Sequence, residues 1–241
     1  MTSTTRPVPI RVGLLASSQA SRARSQVGAK KVTSARVEGL LRAGQLRLLA
    51  VFDKPDPLEG PYFEETLYVT PSRLPAAVLA EVERITGRAA RALGLREGPL
   101  HAELRVDGED VRVLELAARS IGGLCSRALR FGVGVSLEQL ILRHALGLGV
   151  DDLGRESMAA GVMMLPIPRA GTLVAVEGQE QARAIAGIVD LQITIARGRP
   201  LVPLPDGDRY LGFLFASGPT PEAVERSLRA AHACLRVRIE P

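Results

Sequence analysis

Two runs, His101-Ala102-Glu103-Leu104-Arg105 and Leu114-Glu115-Leu116-Ala117-Ala118-Arg119, flank the segment Asp107-Gly108-Glu109-Asp110 and decide how this part of the chain folds. The central segment is typical of a tight turn between two strands. The three pieces together predict a β-hairpin over 99–118. With Gly108-Glu109-Asp110 as its loop, Glu103 lies directly opposite Glu115.

Two carboxylates dominate one face of this predicted hairpin. Side chains alternate between the faces of a strand, so Glu103 shares a face with His101 and Arg105. On the return strand Glu115 is predicted to share a face with Val111, Val113, Ala117 and Arg119. Like charges directly opposite each other destabilise a sheet. A hard divalent cation relieves that repulsion, since Mg²⁺ takes carboxylate oxygens together with the phosphates of a nucleotide. The pattern favours a platform for a metal–nucleotide complex.

A simpler interpretation of the same residues stays open, because an exposed face rich in Glu and Arg needs no ligand. The segment after the hairpin favours the first interpretation. Arg119 precedes Ile121-Gly122-Gly123-Leu124-Cys125-Ser126, where the glycines let the backbone approach a bound group closely. An arginine between the carboxylates and such a loop can hold a phosphoryl group through bidentate hydrogen bonds.

Length and composition exclude several classes of protein. At 241 residues with 46% hydrophobic side chains, the chain can form one large domain or two modest ones. No apolar run reaches the ~18 residues of a membrane span, so no membrane partner is expected. Cys125 and Cys234 lie far apart and form no metal-ligand spacing, which favours a reducing, cytoplasmic location.

The formal net charge of +5 is unevenly distributed. Residues 1–37 carry seven basic side chains and no acidic one, so the rest of the chain has a formal charge of −2. Aromatic residues make up only 3% of the chain, and a basic surface interleaved with aromatics is missing. Nucleic-acid binding is therefore not expected.

The amino-terminal segment, residues 1–34, differs from the rest in composition, being rich in Ser, Thr, Arg and Ala. Three interpretations stay open: a disordered tail, an organelle transit peptide, or a start that is not the natural start of the domain. We expect a disordered leader here.

Regular patterns begin at Ala35. Apolar alternation and turn residues predict strands over 35–41, 46–53, 63–70, 99–118 as a hairpin, 161–165, 172–176, 190–196, 210–216 and 236–239. A 3.6-residue period predicts helices over 75–95, 136–146, 179–185 and 221–235, with Ser136 as an N-cap. We expect an α+β chain with domains at 35–157 and 158–241.

These residues resemble the carboxyl-terminal part of an ATP-grasp carboxylate–amine ligase, similar to the L-amino-acid ligases that make dipeptides. Members carry an E-x(11)-E pair on adjacent strands that binds Mg²⁺, and then an arginine that supports phosphoryl transfer. Glu103, Glu115 and Arg119 have that spacing. Many members have E-x-N-x-R on the second strand, whereas Ala117 here removes one oxygen ligand. The amino-acid ligases often have E-x-A-A-R, as in this chain.

A second block carries the same resemblance. Asp53-Lys54 and the segment from Gly60-Pro61-Tyr62-Phe63 to Pro71-Ser72 resemble the pattern D-K…G-P-F-F-x-E-x-G-H-x-x-P-S. The resemblance places Glu65 at the glutamate that faces the amino group of the substrate, and Tyr68 at a position where many relatives have histidine. Glu38, in Val37-Glu38-Gly39, resembles a strand near the nucleotide.

The resemblance implies an antiparallel-sheet second subdomain of ATP-grasp type, followed by a smaller α/β subdomain. It implies Mg²⁺ or Mn²⁺ on Glu103 and Glu115, with ATP as co-substrate and Arg119 as the catalytic residue. Glu65, Tyr68, Gly122 and Gly123 would bind substrate and Glu38 would bind ATP. The expected partners are a small carboxylate, an amine or amino acid, and a second copy or a complementing subunit.

The family's first nucleotide-binding subdomain has no counterpart in this sequence, and Lys30 and Lys31 lie in no strand-like context. Three hypotheses follow. The chain is a truncated ligase with weak or no turnover, a half-enzyme completed by another chain, or a non-catalytic module that binds a metabolite. A large exposed apolar patch on the strands of 35–70 would favour the half-enzyme.

Overall fold

The computed structural model describes residues 33–56, 66–122 and 124–241. The expected leader lies almost wholly outside the described residues, as do the predicted site residues Glu65 and Gly123.

Strands dominate the described part of the chain. They are β1 (Thr33–Arg42), β2 (Gln45–Asp53), β3 (Leu67–Thr70), β4 (Gly98–Asp107), β5 (Asp110–Ala117), β6 (Arg130–Phe131), β7 (Val135–Ser136), β8 (Ala159–Leu165), β9 (Gly171–Glu177), β10 (Ile188–Ile193), β11 (Pro200–Leu201), β12 (Gly212–Gly218) and β13 (Arg236–Glu240). The helices are α1 (Ala76–Ala92), α2 (Leu137–Ala145), α3 (Gln179–Arg183) and α4 (Pro221–Cys234), with a 3₁₀ helix η1 at Cys125–Ala128.

One eight-stranded sheet organises the fold, in the order β10-β12-β8-β3-β2-β1-β4-β5. Every neighbouring pair in it is antiparallel. A three-stranded sheet, β11-β9-β13, and a two-stranded pair, β6-β7, complete the described strands. The predicted fold class, an α+β chain built on antiparallel sheet, is confirmed. The domain division at 157/158 stays a prediction, and the large sheet takes strands from both sides of it.

The long elements agree with the sequence patterns. Ser136 caps α2 as predicted, accepting the backbone N–H of Gln139 in a capping box. Thr220 caps α4 with its side chain, and Pro221 lies in the first turn of that helix. The three two-residue strands β6, β7 and β11 were not predicted, because two residues are too few to show an alternation. Among the described residues, no helix combines the length and apolar character needed to cross a bilayer.

The two faces of the large sheet carry different chemistry. On one face α1 packs over the β1–β5 end and α4 over the β8–β12 end, burying Val37, Val51 and Val69. On the other face η1 and α2 cover a core that includes Phe52 and Tyr68. Alternate residues of one strand point to opposite faces of the sheet. Arg36 and Glu38, which flank Val37 on β1, therefore lie on this second face.

The β4–β5 hairpin has the predicted pairing of Glu103 with Glu115, but its turn and its register differ from the prediction. Asp107 pairs with Asp110, so the turn has two residues, not three, and Gly108 supplies the positive φ of 62° that it needs. A β-bulge then shifts the register, and Glu103 pairs with Glu115 while Leu104 pairs with Val113.

The bulge corrects one sequence expectation. Val111 and Val113 lie on the core face with Leu104, opposite to Glu115, so they do not share its face as predicted. The bulged residue, Leu114, projects outward with 57% of its surface exposed. The extra residue moves Glu115 onto the face of Glu103.

Candidate functional site

The hairpin carboxylates lie together at an accessible edge of the second face. Glu103 and Glu115 face each other across β4 and β5, with 29% and 57% of their side chains exposed. The Arg119 Nη2 atom lies 3.8 Å from Oε1 of Glu115, and its Nη1 donates to the backbone oxygen of Ser120 at 3.0 Å. The three residues that the sequence groups together are therefore close in space.

Arg36 on β1 was missed by the sequence analysis. It pairs in register with Glu103, and its guanidinium forms an ion pair with that carboxylate. Its Nε donates to the Tyr68 hydroxyl at 3.3 Å, and only 5% of its side chain is exposed. The expected repulsion between Glu103 and Glu115 is therefore offset in part by a buried cation of the protein itself.

Glu38 lies in the interior of the same face, 1% exposed. Its carboxylate accepts two hydrogen bonds, from Nδ1 of His101 on β4 and from the backbone N–H of Ile121 at 3.1 Å. Burial raises the pKa of Glu38, although both hydrogen bonds oppose the shift. Glu38 thereby links β1 and β4 to the segment that follows Arg119.

Two further groups on this face have strongly shifted pKa values. Burial, and then the charge of Arg36, lowers the pKa of Lys54 to about 7. Burial raises the pKa of the Tyr68 hydroxyl above its usual range. Lys54 can therefore change charge near neutral pH, while Tyr68 stays protonated and able to donate a hydrogen bond.

Cys125 is the thiol closest in sequence to the site, and it is poorly suited to nucleophilic attack. Burial raises its pKa to about 12, and its Sγ contacts the Met164 sulfur at 3.9 Å. A thiolate, not a thiol, is the reactive species.

The donor set suits a cation that arrives with its own oxygen ligands. Within the described residues no cluster of three or more His, Cys, Asp or Glu side chains could hold a metal ion by itself. Glu103 and Glu115 offer two carboxylates, and Mg²⁺ characteristically takes one or two carboxylates plus substrate phosphates. The residues present fit that arrangement.

The segment with the glycines is described only in part. Gly122 lies just beyond Ile121, and a β-carbon added to it would meet only Nη1 of Arg119, at 4.0 Å. Its backbone therefore lies beside the Arg119 side chain, and its role in substrate binding stays a prediction.

Arg36 and the partners of Glu38 had one detectable signal in the sequence. Arg36 and Glu38 are charged residues two apart in the otherwise apolar stretch 35–41 of β1, which places both on one face of a buried sheet. His101 stands on the same face as Glu103, as the alternation predicts. Which residues they would meet could not be predicted, since Glu38 and Ile121 are 83 residues apart.

Two family models match this chain. One is described as an ATP-grasp domain and matches residues 34–128, and the other is described as L-amino acid ligase C-terminal domain 2 and matches residues 163–240. The first covers the strands that carry Glu38, Glu103 and Glu115, and the second covers β9 to β13. Together these two matches support assignment of the chain to the ATP-grasp ligase family.

Solved structures agree on the fold. L-amino acid ligase from Bacillus licheniformis is 26% identical, with a TM-score of 0.76 over 87% of this chain and 52% of that one. A biotin carboxylase domain of the Hydrogenobacter thermophilus 2-oxoglutarate carboxylase, 15% identical, has a TM-score of 0.62 over 86% and 46% of the two chains. That carboxylase is a dimer in complex with MgADP, and at this identity the likeness concerns the fold alone.

A curated relative, carnosine synthase 1 from Gallus gallus, is 32% identical over 133 residues, which are 52% of this chain and 14% of that protein. This chain spans about half the length of the solved structures that it matches and a third or less of the curated relatives.

Proposed function

We propose that this chain takes part in the ATP-dependent joining of a small carboxylate to an amine or amino acid, through an acyl phosphate. One observation carries the proposal: Glu103 and Glu115 are paired on adjacent strands, with Arg119 3.8 Å from Glu115, inside a matched ATP-grasp domain. The match to an L-amino acid ligase domain supports an amino acid as one of the substrates.

In this reaction the terminal phosphoryl group of ATP passes to the substrate carboxylate, and ADP leaves. The amine nitrogen then attacks the acyl carbon, the C–O bond to phosphate breaks, and the nitrogen loses a proton. Arg119 is exposed and lies beside the carboxylate pair, so its guanidinium can bind the transferring phosphoryl group and neutralise its charge. The catalysis proposed is positioning and charge stabilisation.

Glu103 and Glu115 would hold Mg²⁺ or Mn²⁺, which would supply charge neutralisation between the phosphates. The Tyr68 hydroxyl stays protonated and accepts from Nε of Arg36, so its own O–H can donate to a substrate oxygen while that contact is kept. Glu38 acts through its neighbours, because its carboxylate is buried and fixes His101 and Ile121. We propose that it positions the segment after Arg119 and does not touch ATP, unlike the role that the resemblance implies.

The first test is thermal unfolding of the 241-residue chain with and without Mg-ATP. Ligand at about 100 times its dissociation constant adds roughly 2.7 kcal/mol to the free energy of unfolding. We expect the midpoint to rise in the wild type and to stay unchanged by Mg-ATP in Glu103→Gln/Glu115→Gln. Glu81→Gln/Glu83→Gln, on the outer surface of α1, is the matched control and should respond like the wild type.

Release of ADP that requires both a carboxylate and an amine would complete the test. If the chain unfolds cooperatively and Mg-ATP does not change its unfolding midpoint, nucleotide binding by this chain alone is contradicted. An Arg119→Lys variant that keeps the midpoint shift but loses amine-dependent ADP release would support the role of the bidentate guanidinium.

A non-catalytic metabolite-binding module remains the second candidate, because the ion pair with Arg36 gives Glu103 a cation from the protein itself. For that module, Glu103→Gln leaves ligand binding intact. The half-enzyme completed by another chain has less support: in the described part of 35–70, no large hydrophobic side chain is exposed, so the expected apolar patch is missing there. Self-association and a cytoplasmic location stay predictions.

A further inference from the structure

A cleft of about 120 Å³ lies beside η1 at the β8–β12 side of the large sheet. Its charged lining consists of three arginines and one carboxylate: Arg127, Arg130, Arg155 and Glu156. Its apolar lining includes Phe215 and Val189. We call this the arginine cleft. None of its residues belongs to the Glu103–Glu115 hairpin, so the chemistry proposed above does not account for it.

Arg127 is fixed in position on three sides. Its guanidinium carbon lies 4.4 Å from the centre of the Phe215 ring, in a cation–π contact. Its two Nη atoms donate to Asp190 at 2.7 Å and to Gln192 at 3.0 Å, both on β10. Because these contacts hold the side chain, binding an anion there costs little side-chain entropy.

Among the described residues, Arg130 and Arg155 differ from Arg127 in forming no ion pair with a carboxylate. Arg130 donates from Nη1 to the carbonyl oxygens of Leu129 and Arg127, at 2.7 and 3.1 Å, and Arg155 donates from Nη1 to that of Met158 at 3.0 Å. No carboxylate in the described parts of the chain forms an ion pair with either of them. A guanidinium has five N–H donors, so most donors of both side chains remain available.

The local backbone holds these two arginines next to each other. Phe131 and Arg155 form an isolated antiparallel bridge, and the N–H of Glu156 donates to the carbonyl oxygen of Arg130 at 2.9 Å. The side chain of Glu156 accepts from the N–H of Gly134 at 2.9 Å. The arginines therefore line one cleft because neighbouring segments are paired, and not because mobile surface chains happen to meet.

Three guanidinium groups around one cleft repel one another, and an anion bound between them offsets that repulsion. Glu156 compensates only one positive charge, and Asp190, which holds Arg127, is shared with Arg183. Glu138 on α2 lies within electrostatic reach of Arg130 but forms no ion pair with it. Burial lowers the pKa of Arg155, with no opposing contribution from a nearby carboxylate.

We propose that the arginine cleft is a binding site for a compact oxyanion, a phosphate or carboxylate group, held mainly by Arg130 and Arg155 on the platform that Arg127 and Phe215 form. The site goes beyond the proposed function and does not depend on it, since it needs no nucleotide and no metal. Its volume admits a group of a few heavy atoms, so the anion is a small molecule or the charged end of a larger one.

The test is calorimetric titration of the full chain with inorganic phosphate and, separately, with malonate, at constant ionic strength. We expect saturable binding of one anion per chain. Arg155→Met and Arg130→Gln should each weaken it about tenfold, since each removes charge-assisted hydrogen bonds. Glu156→Gln, which keeps an acceptor for Gly134 and removes a negative charge, should tighten binding about threefold.

Arg84→Gln is the matched control, because Arg84 is an exposed arginine on α1 that pairs with Glu81. It should leave the affinity unchanged. Tighter binding in Glu156→Gln cannot result from partial unfolding, so the test holds even where Arg155→Met folds poorly. The proposal is overturned if neither anion binds saturably, if Arg84→Gln weakens binding as much as Arg130→Gln, or if Glu156→Gln weakens it. The tighter of the two probes identifies the phosphate or the carboxylate as the preferred group.

Discussion

Two neighbouring strand pairs of one sheet present acidic residues in opposite ways. On the β4–β5 hairpin, Glu103 and Glu115 face each other at an accessible edge, where water and a ligand can reach them. On the β1–β4 pair, Glu38 is enclosed and bonded to His101 and to the Ile121 backbone. The first pair keeps carboxylate oxygens available, and the second uses its oxygens to hold the structure.

The difference teaches that a glutamate's role in this sheet depends on which strand neighbours it, more than on its own sequence context. Arg36 lies between the two regions. It is buried with the Glu38 side of the sheet, yet its guanidinium reaches the Glu103 carboxylate of the hairpin. Stability should therefore depend strongly on Glu38 and weakly on Glu115, while ligand binding should depend on Glu103 and Glu115.

The largest effect is expected at Glu38. Glu38→Ala removes an acceptor from His101 and from the Ile121 N–H and leaves both donors buried, so we expect it to lower the free energy of unfolding by about 3 kcal/mol. Glu115→Ala, the matched variant on the hairpin, should cost about 0.5 kcal/mol or less, because its contact with Arg119 is exposed and 3.8 Å long. Urea denaturation at pH 7 measures both values.

Equal losses in the two variants would contradict the contrast between the regions. Hydrogen exchange adds a local measurement: the Ile121 amide should exchange faster in Glu38→Ala than in the wild type, while Glu115→Ala leaves it unchanged.

A smaller effect should reveal the β-bulge. Val113 packs against the core under α1, whereas the next residue, Leu114, is exposed. We expect Val113→Asn to lower the free energy of unfolding by about 1–2 kcal/mol and Leu114→Asn to change it by less than about 0.5 kcal/mol. Denaturant melts of the two variants check this. A larger loss at Leu114 than at Val113 would mean that the hairpin has the three-residue loop predicted from the sequence, which places Leu114 and not Val113 on the core face.

A separate effect is expected at Lys54, as a pH dependence of the free energy of unfolding. Its pKa of about 7 in the folded chain lies below the usual value of 10.5, so between these values the unfolded chain binds the extra proton. Its contribution to stability is therefore fully present above pH 10.5 and is lost as the pH falls towards 7. Lys54→Met lacks this pH dependence. The free energy of unfolding of the variant minus that of the wild type should therefore be larger at pH 7 than at pH 9.5. Urea melts at the two pH values measure the difference, and a constant difference would refute the shifted pKa.

Much of the fold could be predicted because its long elements carry strong local signals. Helices α1 and α4 have clear 3.6-residue patterns, and the capping residues Ser136 and Thr220 act as their side-chain chemistry requires. Strand β10 begins two residues before the predicted Asp190 and ends three before Ala196, since its exposed edge positions weaken the alternation. The bulge at Leu114 gives no local signal, because its cause is the pairing with β4.

The sequence by itself determined the long strands, the hairpin, and the closeness of Glu103, Glu115 and Arg119, because a hairpin joins residues that are close along the chain. Only the tertiary structure decided the partners of Arg36 and Glu38 and the assembly of the arginine cleft. The physical reason is separation along the chain. Glu38 meets residues 63 and 83 positions away, and Arg127 meets Asp190 across 63 positions, so these contacts exist only after distant strands have paired.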